Sequence, residues 1–329
     1  MGRSKVMSLE EAVGRFVSDG DTVYAGYLCV PFALTHEIIR QRKRGLEVVG
    51  ASAVFPASEL ILAGCCSRVR TGYLQAAMQS PQVAEMMARG ELEYEDYSNQ
   101  AIAMMLMAGA LGIPFIPTRS FLGTGYLAAE NQTHPGSIPD HMKWAEMESP
   151  FDAQKVVLLP AIRPDVAIMH EQRADADGNV QTWGHQGDAR WGLAASRKVI
   201  VTVEELVPSE VVRSDPNRTI IPGMRVSAVV HCPFGAHPSG LAGYYDFDYL
   251  FLGAVLSPAL VSREGFAGFR SEWIDSLPNQ AAYMRQVRAT VGEEAFAKIV
   301  ASPPLCPREA VDYAYSHTLN LATRQGRSL

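Results

Sequence analysis

Between Ser8 and Tyr73 short apolar runs alternate with capped helical stretches, and this alternation constrains the fold more than any other feature of the chain. Ser8-Leu9-Glu10-Glu11 is a capping box, in which the serine hydroxyl takes an orphan N–H of the first turn and Glu11 reaches back. Val13, Phe16 and Val17 continue the helical stripe, and Asp19-Gly20 ends it. Residues 22–25 form a short apolar strand that breaks at Gly26. A helix over 33–41, a strand over 46–49, a helix over 58–63 closed by Gly64, and an extended run over 68–73 follow. Strands joined by single helices need crossover connections, so they lie parallel in one sheet.

The rhythm continues. Ser80-Pro81-Gln82 opens a helix that Gly90 stops, with a cap and a proline in the first turn. Ser98 caps an apolar helix running to Leu111, before Gly112 and Ile113-Pro114. Residues 115–117 are short and extended, and 124–150 are polar and punctuated, which predicts a long loop. Strands return at 156–159, 166–169, 199–203 and 226–230, and Asp177-Gly178 predicts a hairpin turn into 180–183. Beyond Ser262 the pattern is helical. The expected architecture is an open, largely parallel α/β sheet with flanking helices and C-terminal helices. It is read as a single domain over 1–329, with its α/β core over about 5–260 and its helical part over about 265–325. In such a sheet the crevice for ligands lies beyond the carboxyl ends of the strands.

Composition excludes several classes of function. A hydrophobic share of 47% in 329 residues supports a full core, and a net charge of −6 offers no basic face for nucleic acid. No run of 18 apolar residues predicts a membrane span. Residues 1–6 show no apolar export core, so a cytoplasmic protein is expected. The five cysteines (Cys29, Cys65, Cys66, Cys232 and Cys306) form no C-x-x-C pair, and are read as reduced thiols.

No self-sufficient catalytic set stands out. Gly123-Thr124-Gly125-Tyr126-Leu127-Ala128 matches a loose dinucleotide pattern, but breakers over 131–139 replace the helix that the pattern needs. His231, Cys232, His237 and Asp246 fit no standard metal spacing. His170 reads as a hydrogen-bonded histidine at a strand end. No G-x-S-x-G marks a serine nucleophile. Asp175-Ala176-Asp177-Gly178 lacks the distal glutamate of a calcium loop. A chain of this size with well-marked loops and no obvious nucleophile points to a site shared with another subunit.

Several strings carry a resemblance. Ile221-Pro222-Gly223-Met224-Arg225-Val226, Pro233-Phe234-Gly235-Ala236-His237-Pro238-Ser239 and Gly243-Tyr244-Tyr245-Asp246-Phe247-Asp248 resemble the A (alpha) subunit of the glutaconate type of family I CoA-transferases. So do Asp177-Gly178-Asn179-Val180, Val201-Thr202-Val203-Glu204-Glu205, Tyr94-Glu95-Asp96-Tyr97-Ser98 and Leu111-Gly112-Ile113-Pro114-Phe115-Ile116-Pro117, from about residue 4 to 290. The resemblance implies an α/β subunit that pairs with a B (beta) subunit, in a heterotetramer or larger assembly. Coenzyme A is then the substrate, carried as acyl-CoA, with no bound cofactor and no metal. The nucleophilic glutamate is expected on the partner, and none of the catalytic residues in this chain. It further implies that substrate and oxyanion contacts come from Gly26, Ser52, Ser98, Asn99, Gly123, Thr124 and Gly125. Asn99 stands where many relatives carry a glutamine facing the thioester. The same scaffold resembles subunits of CoA-thioester hydrolases and of an acyl-CoA decarboxylase. A non-catalytic acyl-CoA-binding protein is a further alternative.

Overall fold

The structure, a computed structural model, describes residues 4–26, 30–128 and 143–300. Four strands, β1 (Thr22–Tyr24), β2 (Leu46–Gly50), β3 (Cys66–Thr71) and β4 (Glu93–Asp96), add side by side in chain order, each pair parallel. Beyond the smaller strands β5 (Phe115–Thr118), β6 (Ala145–Glu148) and β7 (Lys155–Pro160), the chain returns to the sheet. There β8 (Val166–Ala174) pairs parallel with the free side of β1. After β9 (Val180–Gln181), β10 (Lys198–Leu206) joins β8; after β11 (Thr219–Ile221), β12 (Ala228–His231) joins β10, both parallel. The parallel order is β12-β10-β8-β1-β2-β3-β4, and the direction of growth reverses between β1 and β8. That reversal is the topological switch point, where open α/β sheets leave a crevice at the carboxyl ends of their strands.

β8 outruns β1. Its first residues pair with Val23 and Tyr24, while Arg173 and Ala174 pair with Gln181 and Val180 of the antiparallel β9. The expected Asp177-Gly178 hairpin makes that return. Asp175 accepts the backbone N–H and side-chain amide of Asn179, both at 2.8 Å, so its carboxylate serves the turn.

Side-chain alternation divides the sheet into two apolar layers. On one face Val23, Val48, Val69, Val166, Ile168 and Ile200 pack under α1 (Leu9–Phe16), α2 (Phe32–Arg40) and α3 (Phe55–Leu62), together with the C-terminal helices. On the other, Tyr24, Val49, Ala167, Met169, Val199 and Val201 meet the residues of two helices described below. Ser8 caps α1 as its sequence predicts, accepting the Glu11 N–H at 3.1 Å. After α4 (Gln75–Gln79) and α5 (Pro81–Ala88) comes α6 (Asn99–Leu111), capped by Ser98 and closed by Gly112 in the left-handed region. Ala101, Ile102, Met105, Leu106 and Ala108 of α6 are buried. A Cβ on Gly109 would lie 1.9 Å from the Ile162 carbonyl oxygen, so only glycine lets α6 approach this closely. The last helix of this layer, α7 (Ala189–Ala195), packs on α6.

Three readings need correction. Residues 124–150 are not all loop: β6 lies inside them, and β5-β7-β6 form a second, antiparallel sheet. Within that segment, residues 129–142 lie outside the described residues. β4 went unread, because Glu93-Tyr94-Glu95-Asp96 looks too polar for a strand. Its carboxylates are answered from β3, where Arg68 meets Glu93 at 2.5 Å and Arg70 meets Glu95 at 2.7 Å. Finally, α2 and α3 begin at Phe32 and Phe55, one and three residues before the sequence reading.

From Arg263 to Ile299 the chain is helical, in Arg263–Phe269, Gln280–Val291 and Glu293–Ile299, and the remainder of the expected helical part, 301–325, lies outside the described residues. Cys65, Cys66 and Cys232 are free, buried thiols; burial raises them to about 11, about 12 and about 12, so they stay protonated. Cys29 and Cys306 lie outside the described residues. Among the described residues no helix is long and apolar enough to cross a membrane.

Candidate functional site

The carboxyl ends of β1 to β4 converge on one small region. β2 ends in Gly50 and turns through Ala51 and Ser52; β3 ends in Thr71 and turns through Gly72; β4 leads through Tyr97 to Ser98 and the first residue of α6, Asn99. Asn99 Nδ2 donates to Ser52 Oγ at 3.0 Å. Ser52 is buried and Asn99 exposed, so the pair runs from the floor of the crevice to its opening. Because Ser52 Oγ accepts from Asn99, its own O–H is left to donate elsewhere.

This contact depends on a glycine that sequence reading did not single out. A Cβ on Gly72 would lie 2.3 Å from Asn99 Oδ1 and 2.4 Å from Asn99 N, so the end of β3 reaches α6 only without a side chain. The turn after β2 is pinned from that side as well. Thr71 Oγ1 accepts the Ala53 N–H at 3.1 Å, and the Gly72 N–H donates to the Ala51 carbonyl at 3.2 Å.

The remaining sequence-predicted residues take three different places. Gly26 ends β1 with φ +68, a left-handed turn that favours glycine, and lines a small hollow with Gly50 and Ser52. Ser98 Oγ accepts the Ala101 N–H at 3.1 Å, as the helix cap. Gly123, Thr124 and Gly125 are exposed, and the Thr124 hydroxyl donates to the Phe121 carbonyl at 2.7 Å. Their loop meets the site through aromatic rings. Phe121 packs on Tyr97 and Tyr126, and Lys143 lays its ammonium 4.8 Å from the Tyr97 ring centre and 6.0 Å from that of Tyr126. Burial lowers the Lys143 pKa, while Glu95 and Asp96 pull it back up. Around Gly26, Gly50 and Ser52 the hollow holds only about 10 Å³, too little for an acyl thioester.

The histidines weighed for chemistry are structural. His170 is fully buried within β8, not at its end; its Nδ1 lies 2.9 Å from Thr202 Oγ1 and its Nε2 2.8 Å from Glu204 Oε1. Glu204 also accepts the Phe234 N–H and the Tyr245 hydroxyl. His237 sits between Tyr283 and Asp248, at 3.0 and 3.1 Å, and burial holds its imidazole below the usual 6.5 against the pull of Asp248. His231 meets the Glu204 carbonyl at 3.0 Å. Among the described residues no group of three or more His, Cys, Asp or Glu side chains is placed to hold a metal.

Comparison with known proteins agrees with this architecture. A family model for coenzyme A transferase matches residues 6–232. The chain is 35% identical to the A-type chain of glutaconate CoA-transferase from Acidaminococcus fermentans, over 87% of this chain and 93% of that one. It is 33% identical to the A-type chain of 3-oxoadipate CoA-transferase from Pseudomonas knackmussii, over 82% and 94%. The crystal structure of the Acidaminococcus glutaconate coenzyme A-transferase superposes with a TM-score of 0.81 at 33% identity, covering 95% of this chain and all of that one.

Proposed function

This chain belongs to the coenzyme A transferase family, and from that premise we propose that it is the A-type chain of a heteromeric CoA-transferase moving CoA from an acyl-CoA to a carboxylic acid. The observation that carries the reading is identity spread over nearly the whole length of two A-type chains, together with the amide and hydroxyl pair Asn99–Ser52 at the carboxyl ends of β2 and β4. A dissimilar partner supplies the other wall and the nucleophilic glutamate. An apolar surface suits such a partner: β5, β6 and β7 turn Phe115, Met147, Val156 and Leu158 outward, with Phe115 and Met147 45% and 40% exposed.

The chemistry proceeds by exchange of acyl groups. The partner's carboxylate attacks the thioester carbonyl, forming an acyl-glutamyl anhydride and expelling the CoA thiolate. The thiolate attacks the glutamyl carbonyl, releasing the first carboxylate and leaving a glutamyl-CoA thioester. The acceptor carboxylate then attacks this thioester, and the two exchanges run in reverse. Covalent catalysis splits one difficult transfer into steps of similar energy. Each passes through an oxyanion that needs donors already in position. Asn99, which cannot ionise, offers an amide N–H for this and no base to activate water, which favours transfer over hydrolysis. The acids handled are carboxylates such as a glutaconate-like dicarboxylate or a 3-oxoacid.

The test is co-expression with the companion B-type chain, followed by chromatography of a panel of acyl-CoA and carboxylate pairs. New acyl-CoA appearing in step with loss of the donor is the expected result. Release of free CoA without transfer assigns hydrolysis instead, and release of carbon dioxide assigns decarboxylation.

A further inference from the structure

One carboxylate joins the carboxyl ends of β1 and β2 from outside the strands that bear the candidate residues. Asp188 stands at the N-cap position of α7, where an aspartate ordinarily accepts an N–H of its own helix. It makes no such bond. Its Oδ2 instead accepts the backbone N–H of Ala51 at 2.9 Å, and its Oδ1 accepts the Tyr24 hydroxyl at 2.8 Å. Asp188 is buried, with 4% of its surface exposed. Tyr24 closes β1 two residues before Gly26, and Ala51 precedes Ser52. One side chain thus ties the end of β1 to the turn that follows β2.

The surroundings leave this clamp little freedom. A Cβ on Gly192 of α7 would lie 2.3 to 2.4 Å from Tyr24 ring atoms, so the ring is wedged against the helix backbone. The Ala51 carbonyl is taken on the opposite side by the Gly72 N–H, at 3.2 Å. Ala51 is therefore gripped from both sides, by α7 through its N–H and by β3 through its C=O. The backbone is fixed one residue before the hydroxyl that Asn99 contacts.

We propose that Asp188 is a positioning residue for the transfer reaction, setting the height of the Ala51–Ser52 turn and so the placement of the Ser52–Asn99 pair against the thioester. This rests on the proposed function. Asp188 meets no substrate itself; it acts through the turn. What it supplies is an acceptor at a fixed reach, and a negative charge is not required. An asparagine reproduces that geometry, with Oδ1 accepting the Ala51 N–H and Nδ2 donating to the Tyr24 oxygen. A glutamate keeps the charge but is one methylene too long for the space.

The experiment compares Asp188→Asn, Asp188→Glu, Asp188→Ala and Tyr24→Phe in the complex with the B-type chain, measuring kcat, KM, melting temperature and hydrogen exchange at the Ala51 amide. Asp188→Asn is expected to turn over like the wild type. Asp188→Ala and Asp188→Glu are expected to lose kcat by roughly 10²-fold with KM little changed, the cost of a displacement of about 1 Å. Tyr24→Phe lowers the melting temperature but keeps kcat, because the Ala51 bond survives. A charged variant as active as the wild type, or kcat losses that merely follow melting temperature across the four, overturns the proposal. If the wild-type complex transfers no CoA, the functional reading fails. Exchange at Ala51 then still reports on the clamp: protected in Asp188→Asn and fast in Asp188→Ala if the clamp exists, equal in both if it does not.

Discussion

Gly72→Ala tests the geometry of the cleft wall with the smallest possible change. Gly72 has no left-handed φ to protect, so the substitution acts through space alone. The added methyl would meet Asn99 Oδ1 at 2.3 Å, Asn99 N at 2.4 Å and the Ser98 carbonyl carbon at 2.8 Å. Non-bonded contacts of this kind relax to about 3.5 Å, so Asn99 must retreat by about 1 Å. Two of the three atoms are backbone, held by the Ser98 cap and by the Tyr97 N–H bonded to the Thr71 carbonyl at 3.2 Å. Overpacking against such a fixed segment costs about 1–3 kcal/mol. In a chain of this size that lowers the melting temperature by about 2–4 °C for each kcal/mol. The loss of activity should be larger than the loss of stability suggests, roughly 10²-fold in kcat, because the Asn99 amide leaves Ser52. Thermal unfolding followed by circular dichroism, with steady-state CoA transfer by the two-subunit enzyme, measures both. A variant that melts with the wild type and transfers at the wild-type rate would refute the claim that Gly72 sets the Ser52–Asn99 contact.

Three further outcomes follow from the same geometry. Ser98→Ala removes the α6 cap and should cost about 0.5–2 kcal/mol in denaturant melts, while leaving kcat closer to wild type than Gly72→Ala does, because the Ser52–Asn99 contact gains no clash. Glu204→Ala strips acceptors from His170, Phe234 and Tyr245 at once, and should destabilise the chain by at least about 3 kcal/mol in urea unfolding, with Glu204→Gln restoring part of it. His237, held below 6.5 by burial, gives stability that is complete above that pH. As the pH falls below 6.5 the unfolded chain binds a proton that the folded chain refuses, and stability declines by up to about 1.4 kcal/mol per pH unit. His237→Gln should flatten that slope, and an unchanged slope in urea melts between pH 5 and 7 would contradict the assignment.

The parts of the fold that were legible in the sequence are those where local chemistry and tertiary packing agree. The Ser8 and Ser98 caps, the Asp177-Gly178 hairpin and the valine-rich strands satisfy their own neighbours, so their pattern survives reading in one dimension. β4 was hidden because Glu93 and Glu95 are made strand-like only by Arg68 and Arg70 on an adjacent strand. β6 was hidden inside a polar segment whose register is set by β7. The candidate site shows the same division. Ser52 and Asn99, 47 residues apart, were each marked by resemblance, and the 3.0 Å bond between them needed three dimensions. Gly72 and Asp188 left no signal at all. A glycine after a strand is common, and an aspartate before a helix reads as a cap, yet here the cap is unmade and the carboxylate faces another element.

The central claim is that this chain forms one wall of a cleft whose reacting carboxylate arrives on a different polypeptide. Intact-mass spectrometry of the two-subunit complex, quenched during turnover with an acyl-CoA, tests it most directly. The account predicts a CoA adduct on a glutamate of the partner, with the chain described here unmodified. An adduct on this chain, or turnover of acyl-CoA by this chain alone, would contradict it.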